Sequence, residues 1–127
     1  MNWNTFCWDV LACAGPFTEY AYLGSANDRW GEANRRWKFP IIAKPHVSTI
    51  INSNGANFEF GDEEYKLVEN KAGVVFVYQS PTKSLAYGKG PYYVLIVGGC
   101  GSDKAEVNDQ CQAAVQYGLR RVQEMRS

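Results

Sequence analysis

Aromatic residues carry the first chemical signal in this 127-residue chain. Trp3 and Phe6 stand three positions apart. On a helix, a three-residue spacing puts two side chains on one face. An indole offers a flat apolar plane and a single N–H donor. That combination suits a polyproline II segment, whose backbone carbonyls are unpaired and whose ordering entropy is small before it docks. Spacing alone favours the plainer alternative, a helical stripe that anchors a core. A second cluster is basic. Arg35-Arg36-Trp37-Lys38 sets three cations beside an aromatic, and Arg120-Arg121 adds two more. If these segments meet, five cations converge on a surface of the kind that holds phosphorylated lipid headgroups. An ordinary solvated basic face accounts for the same residues equally well.

Covalent and acid–base chemistry finds little support. His46 is the one histidine, and a nucleophilic dyad would require Cys7, Cys13, Cys100 or Cys111 to reach it. No Cys-x-x-Cys pair is present, so neither a zinc nor a redox motif is read, and no metal or cofactor is expected. Buried structural thiols are the favoured reading of the four cysteines. Gly88-Lys89-Gly90 and Gly98-Gly99-Cys100-Gly101 lack the frame of a phosphate-binding loop and read as turns. Asp62, Glu63 and Glu64 cluster in a turn, where solvated carboxylates are the default. The chain is read as a non-enzyme.

Whole-chain properties narrow the classes further. Lys plus Arg and Asp plus Glu both number 13, for a formal net charge of zero. That argues against generic nucleic-acid binding, which needs a positive field. At 127 residues and 46% hydrophobic residues, the expectation is a single domain spanning 1–127 with a true core. No apolar run approaches the roughly 20 residues of a membrane span, and the opening residues lack a signal-peptide pattern. A cytoplasmic location is expected.

The elements that must position these residues follow from periodicity. Residues 2–13 read as a short helix with Trp3, Phe6, Cys7, Val10 and Cys13 on one face and Trp8 opposite, ended by Gly15-Pro16. Residues 17–24 and 29–34 read as a hairpin. Pro45 opens a short helix carrying Val47, Ile50 and Ile51. Strands are expected at 57–60, 64–69, 73–78 and 85–87. The segment 92–97 reads as a central strand, apolar on both faces and ended by Gly98-Gly99. Residues 103–125 read as a long helix with an apolar stripe through Val107, Cys111, Ala114, Val115, Gly118, Val122 and Met125. The expected architecture is α+β: a central antiparallel sheet of about six or seven strands, with the N- and C-terminal helices packed on one face.

This order, with several local matches, resembles profilin. The opening Met1-x-Trp3-x-x-Phe6, Cys13, Leu23-Gly24 followed by Trp30, Phe39-Pro40 leading to Pro45 and Ile50-Ile51, then Tyr65, Gly73, the strand 94–98 and Cys111 fall in family order. The resemblance implies an actin-monomer-binding protein of the cytoskeleton that regulates filament assembly and docks proline-rich protein segments. It implies that Trp3, Phe6, Trp30 and the C-terminal helix form the proline groove. The stretch 119–124 carries no aromatic, so Tyr117 is expected to substitute from an adjacent turn. It implies an actin face built from Lys83, Tyr87, Lys89, Lys104, Asn108 and Gln112, and phosphoinositide contacts through Arg35, Arg36, Lys38, Arg120 and Arg121. It also implies that Cys13 and Cys111 lie close together. Gln79-Ser80-Pro81-Thr82-Lys83 holds one lysine where the family has a more basic segment. That departure motivates an alternative, an adaptor for proline-rich segments or lipid that has weakened or lost actin binding. A small enzyme, or an unrelated sheet-and-helix trafficking domain, is the remaining alternative.

Overall fold

The computed structural model describes residues 2–126; Met1, part of the expected opening motif, lies outside them. The elements run α1 (Trp3–Ala14), β1 (Thr18–Gly24), β2 (Arg29–Asn34), α2 (Lys44–Ile51), β3 (Phe58–Phe60), β4 (Glu63–Lys71), β5 (Val75–Gln79), β6 (Ser84–Lys89), β7 (Val94–Gly99) and α3 (Lys104–Arg126). The strands form one sheet in the order β2-β1-β7-β6-β5-β4-β3, with every neighbouring pair antiparallel. Fold class and element order are as the sequence predicts.

Alternation along the central strands explains why the sheet is covered on both faces. Successive strand residues point to opposite sides. Ala21, Leu23, Val75, Val77, Ala86, Leu95 and Val97 pack with residues of α1 and α3 in one buried cluster. Tyr20, Tyr22, Tyr78, Leu85, Tyr87, Val94 and Ile96 pack with Phe39, Ile42, Val47 and Ile50 in a second. The helical face is therefore lined by small and branched residues, and the opposite face by tyrosines. Small residues let helices come close. Gly118 makes this plain, since a Cβ there would stand 2.2 Å from Leu95 Cδ2 and 3.2 Å from Val10 Cγ2.

Element ends differ from expectation in two instructive places. Residues 92 and 93 are not strand. The Gly90 N–H donates to the Tyr93 carbonyl at 2.9 Å, closing a turn before β7 begins at Val94. Gly98 and Gly99, in contrast, remain in β7 rather than ending it. A Cβ on Gly98 would stand 2.3 Å from the Phe39 ring, and one on Gly99 2.5 Å from the Phe17 carbonyl. Glycine serves there for room beside a neighbour, not for a turn.

At the far edge, Glu63 ties β4 to the β5–β6 turn. Its carboxylate accepts from Ser80 Oγ at 2.9 Å, Thr82 N at 3.0 Å, Thr82 Oγ1 at 2.6 Å and Lys83 Nζ at 2.7 Å. Partial burial alone would raise its pKa, but the donors from Lys83, Thr82 and Ser80 outweigh that and hold it at about 2, against an ordinary 4.5. A depressed folded-state pKa stabilises above the unfolded value and loses that contribution as pH falls toward the folded one. Thermal melts should thus show stability falling between about pH 4.5 and pH 2, with Glu63→Gln flattening that part of the profile. An unchanged profile in the variant would discount the network.

Candidate functional site: an aromatic platform beside two polar faces

The platform begins with how α1 is seated. Asn2 caps the helix, its Oδ1 accepting from Asn4 N at 2.9 Å and Thr5 N at 3.4 Å. One residue into the helix, Asn4 Oδ1 accepts from the Glu32 N–H of edge strand β2 at 3.0 Å. Gly31 permits the approach: a Cβ there would stand 2.5 Å from the Trp3 carbonyl carbon. The start of α1 is thereby pressed onto β2, and Trp3 lands against Trp30, with ring centroids 5.7 Å apart and planes tilted by 42°. Phe6 meets Trp3 edge-to-face at 5.6 Å. Trp3 and Trp30 are half-buried, while Phe6 is buried beneath them. Trp3, Phe6 and Trp30 are thus brought together.

Tyr93 completes the platform, and the sequence reading missed it. Its ring lies 6.0 Å from Trp30, carried there by the turn at Gly90, where a Cβ would collide with that ring at 2.1 Å. The visible signal was Gly90-Pro91, which stops a strand from starting before residue 92. Tyr117 does not join the platform. Gln110 of α3 reaches the Phe17 N–H and Gly118 faces Val10, so α1 and α3 run antiparallel. Tyr117 consequently stands near the level of Cys13, and its hydroxyl accepts from Arg121 Nη1 at 2.8 Å. Cys13 is ten residues beyond Trp3, or roughly 15 Å along a helix. Extending the antiparallel pairing brings Val122 and Met125 of α3 to the level of Phe6 and Trp3.

The residues proposed for the polar face lie on the opposite part of the sheet. Lys104 Nζ donates to the Ser80 carbonyl at 2.7 Å and to that of Pro81. Asn108 Nδ2 donates to Gln79 Oε1 at 2.9 Å, and its Oδ1 accepts from the Ser84 hydroxyl. Lys83 is paired with Glu63. Gln112 follows one turn after Asn108 and is half-buried. These contacts fasten the start of α3 to the β5–β6 turn. Lys89 is exposed at the other end of β6. Tyr87 is a correction. It is fully buried, stacked on Phe76 at 5.1 Å and on Tyr78 at 6.0 Å, and cannot serve as a surface contact. It shares strand parity with Leu85, which places both on the tyrosine-lined face.

Arg35 and Arg36 reach the C-terminal end of α1, where cations are favoured by the helix dipole. Arg35 Nη1 donates to the Gly15 carbonyl at 3.2 Å. Arg36 donates to the Pro16 carbonyl and pairs with Glu19, a carboxylate 1% exposed, so its charge is already matched. Arg121 is held by Tyr117, while Lys38 and Arg120 are exposed. All four cysteines are free thiols. Cys7 is pushed up to about 12, chiefly by burial. Cys111 is raised too, chiefly by burial and then by Cys100. Of the two cysteines expected to lie close together, Cys111 is buried and Cys13 exposed. His46 also has a structural occupation. Its Nδ1 accepts from the Ala43 N–H at 3.1 Å at the start of α2, and its ring packs on Phe60 at 4.9 Å. Phe60 belongs to one buried cluster, and Cys7 and Cys111 to the other. Among the described residues, no group of three or more His, Cys, Asp or Glu could hold a metal ion, and no helix is long and apolar enough to cross a membrane.

The seating of α1 is open to direct trial. Gly31→Ala should cost about 1–3 kcal/mol, as overpacking does, by forcing the Trp3 backbone off β2. Urea unfolding would read the loss. A shift in tryptophan emission of the folded variant would report that the Trp3–Trp30 contact has loosened. Wild-type stability and emission together would show that the approach is not tight.

Comparison with known proteins adds one finding. No protein-family profile matches the chain, and no curated protein sequence matches it. Solved structures do. Mouse profilin IIa, determined in complex with a double repeat from the FH1 domain of mDia1, superposes with a TM-score of 0.63 at 17% identity, over 96% of this chain and 99% of that one. Acanthamoeba castellanii profilin IB gives 0.68 at 14% identity, over 96% and 98%. Human profilin II gives 0.61 at 18% identity, over 93% and 96%. The chain has the profilin fold.

Proposed function

We propose that this chain binds actin monomers and, on a separate face, proline-rich protein segments, and so regulates filament assembly without catalysing a reaction. The observation that carries the reading is the Trp3–Trp30 pair. Two half-buried indoles stand 5.7 Å apart on a rigid seat, with Phe6 and Tyr93 filling in below and beside them. Large apolar rings left open on a well-packed support fit a ligand that brings its own rigid apolar surface. A neighbour of the same fold was captured with a double repeat from an FH1 domain, which supports a peptide-segment ligand. The platform lies near the start of α1. The actin contacts proposed at Lys83, Lys104, Asn108 and Gln112 lie at the start of α3 and the β5–β6 turn. Two separated faces would let one partner tether the chain while the other is delivered, an effective-concentration mechanism. Contact with phosphoinositide membrane through Arg35, Arg36, Lys38, Arg120 and Arg121 is a third part of the reading, and a cytoplasmic, cytoskeletal setting follows from the whole.

A specific observation also favours the adaptor reading. Lys83, Lys104 and Asn108 spend their polar atoms on Glu63, the Ser80 and Pro81 carbonyls and Gln79. A pyrene-actin assay separates the two readings. Slower spontaneous assembly with the purified protein is expected, and no change would favour an adaptor without actin. For the platform, tryptophan emission should change on titration with poly-L-proline, and Trp3→Ala should weaken that binding about tenfold or more. No response at millimolar proline repeats would remove the proline reading.

A further inference from the structure

A second aromatic surface lies on the far side of α1, and none of the functions above uses it. Trp37 is 72% exposed, Ile41 49% and Trp8 44%. All three line one shallow cleft of about 190 Å³, together with Asn4, Glu32 and Asn34. Trp37 sits at the tip of the loop after β2 with a φ of +60°, a left-handed conformation that bulky residues rarely adopt. Its backbone N–H donates to Asn34 Oδ1 at 2.8 Å, and this bond closes the loop at that residue. The molecule thus stabilises an unusual backbone geometry that presents a tryptophan to solvent.

Charge says what such a surface meets. Between Glu32 and Glu59 the chain contains no Asp or Glu, yet it carries Arg35, Arg36, Lys38 and Lys44. Arg36 is matched by Glu19. Arg35 binds only a carbonyl in the contacts described above, and Lys38 and Lys44 are exposed. The carboxylates nearby are Glu32, which is paired with Arg29 and accepts from Tyr20, and Asp9, which is exposed beside Trp8. Lys38 adjoins Trp37 in the chain and Lys44 lies three residues beyond Ile41, both exposed, while Glu32 lines the cleft itself. Indole rings favour the headgroup level of a bilayer. Apolar burial and electrostatic attraction together achieve binding that neither does alone.

We propose that Trp37, Ile41 and Trp8 insert into the headgroup region of an anionic bilayer, oriented by Arg35, Lys38 and Lys44. This rests on the lipid part of the reading above only for its cations. It adds an apolar anchor, and it does not use Arg120 or Arg121. A proline-rich peptide on the same face is the competing occupant, and the exposed cations that flank Trp37 and Ile41 in the chain favour the membrane over it.

Vesicle flotation tests this with phosphatidylcholine alone and with added phosphatidylserine. The wild-type chain should float only with the mixed vesicles and detach as salt rises. Lipids brominated along the acyl chains should quench its tryptophan emission. The double variant Trp37→Ser, Ile41→Ser should partition about tenfold more weakly and lose most of that quenching. Lys38→Glu, at an exposed position, should weaken partition to a similar degree. Poly-L-proline titration of these variants should match wild type. Failure of the wild type to float, equal flotation by the double variant, or loss of poly-L-proline binding on changing Trp37 would overturn the proposal. Binding of soluble inositol trisphosphate reads the headgroup interpretation separately. If it persists while flotation fails, insertion alone is lost; if it is absent while flotation holds, the headgroup interpretation alone is lost.

Discussion

The tolerance of the sheet's helical face for very close neighbours is the constraint on which the rest depends. Ala21, Ala86 and the branched residues around them form a low surface, and at several points between sheet and helices the Cβ itself is missing. Gly118 lets α3 descend onto Leu95 and Val10, and Gly31 lets the first residue of α1 rest on β2. Dispersion forces fall off so steeply that a shift of half an ångström would forfeit much of this contact. The dense packing fixes α1 and α3 relative to each other, and their antiparallel pairing fixes everything at their ends. The Trp3–Trp30 platform is one product of that arrangement. The capture of Tyr117 by Arg121, away from the platform, is another.

The tyrosine-lined face follows a different logic. Tyr20, Tyr22 and Tyr78 are buried, yet each hydroxyl reaches a polar partner: Tyr20 gives to Glu32, Tyr22 to the Ser25 carbonyl at 2.6 Å, and Tyr78 accepts from Gly55 N at 2.9 Å. Most buried hydroxyls find such partners, and those of Tyr65 and Tyr87 on this face are the exceptions. The long rings therefore span from the core to the loops that cover it. Those loops include the segment that carries Trp37, since Tyr20 also accepts from the Ile42 N–H at 3.4 Å. One face of the sheet positions helices by bare proximity. The other positions loops by directed bonds.

Much of the fold was legible because its signals are periodic. The stripe through Val107, Cys111, Ala114, Val115 and Val122 specifies a helix with one buried side, and two-faced apolarity marks β7 as central. What escaped was governed by contacts between distant residues. Gly98 and Gly99 look like a strand end until Phe39 and Phe17 are seen against them. Tyr93 looks like strand until the Gly90 turn is closed. Trp3, Phe6 and Trp30 were grouped by the resemblance to profilin, since spacing alone favours a core stripe, and the seat that joins them needed Gly31 and Asn4, whose roles exist only across the gap between α1 and β2. Tyr87 could have been excluded beforehand, because simple alternation places it with Leu85. The partners of Lys83 and Lys104 could not, because carbonyls in a turn leave no mark on composition.

Burial of the thiols has a practical corollary. Cys7 and Cys111 lie wholly inside, under the two terminal helices, and both hold their protons far more tightly than a free thiol. Cys13 is open to solvent on the same helix as Cys7. Alkylating reagents meet two populations on one short segment: one reactive at once, the other reachable only during excursions that lift a helix from the sheet. The chain thus contains a built-in clock for its own breathing, with the outer sulfur marking total dose and the inner ones counting openings.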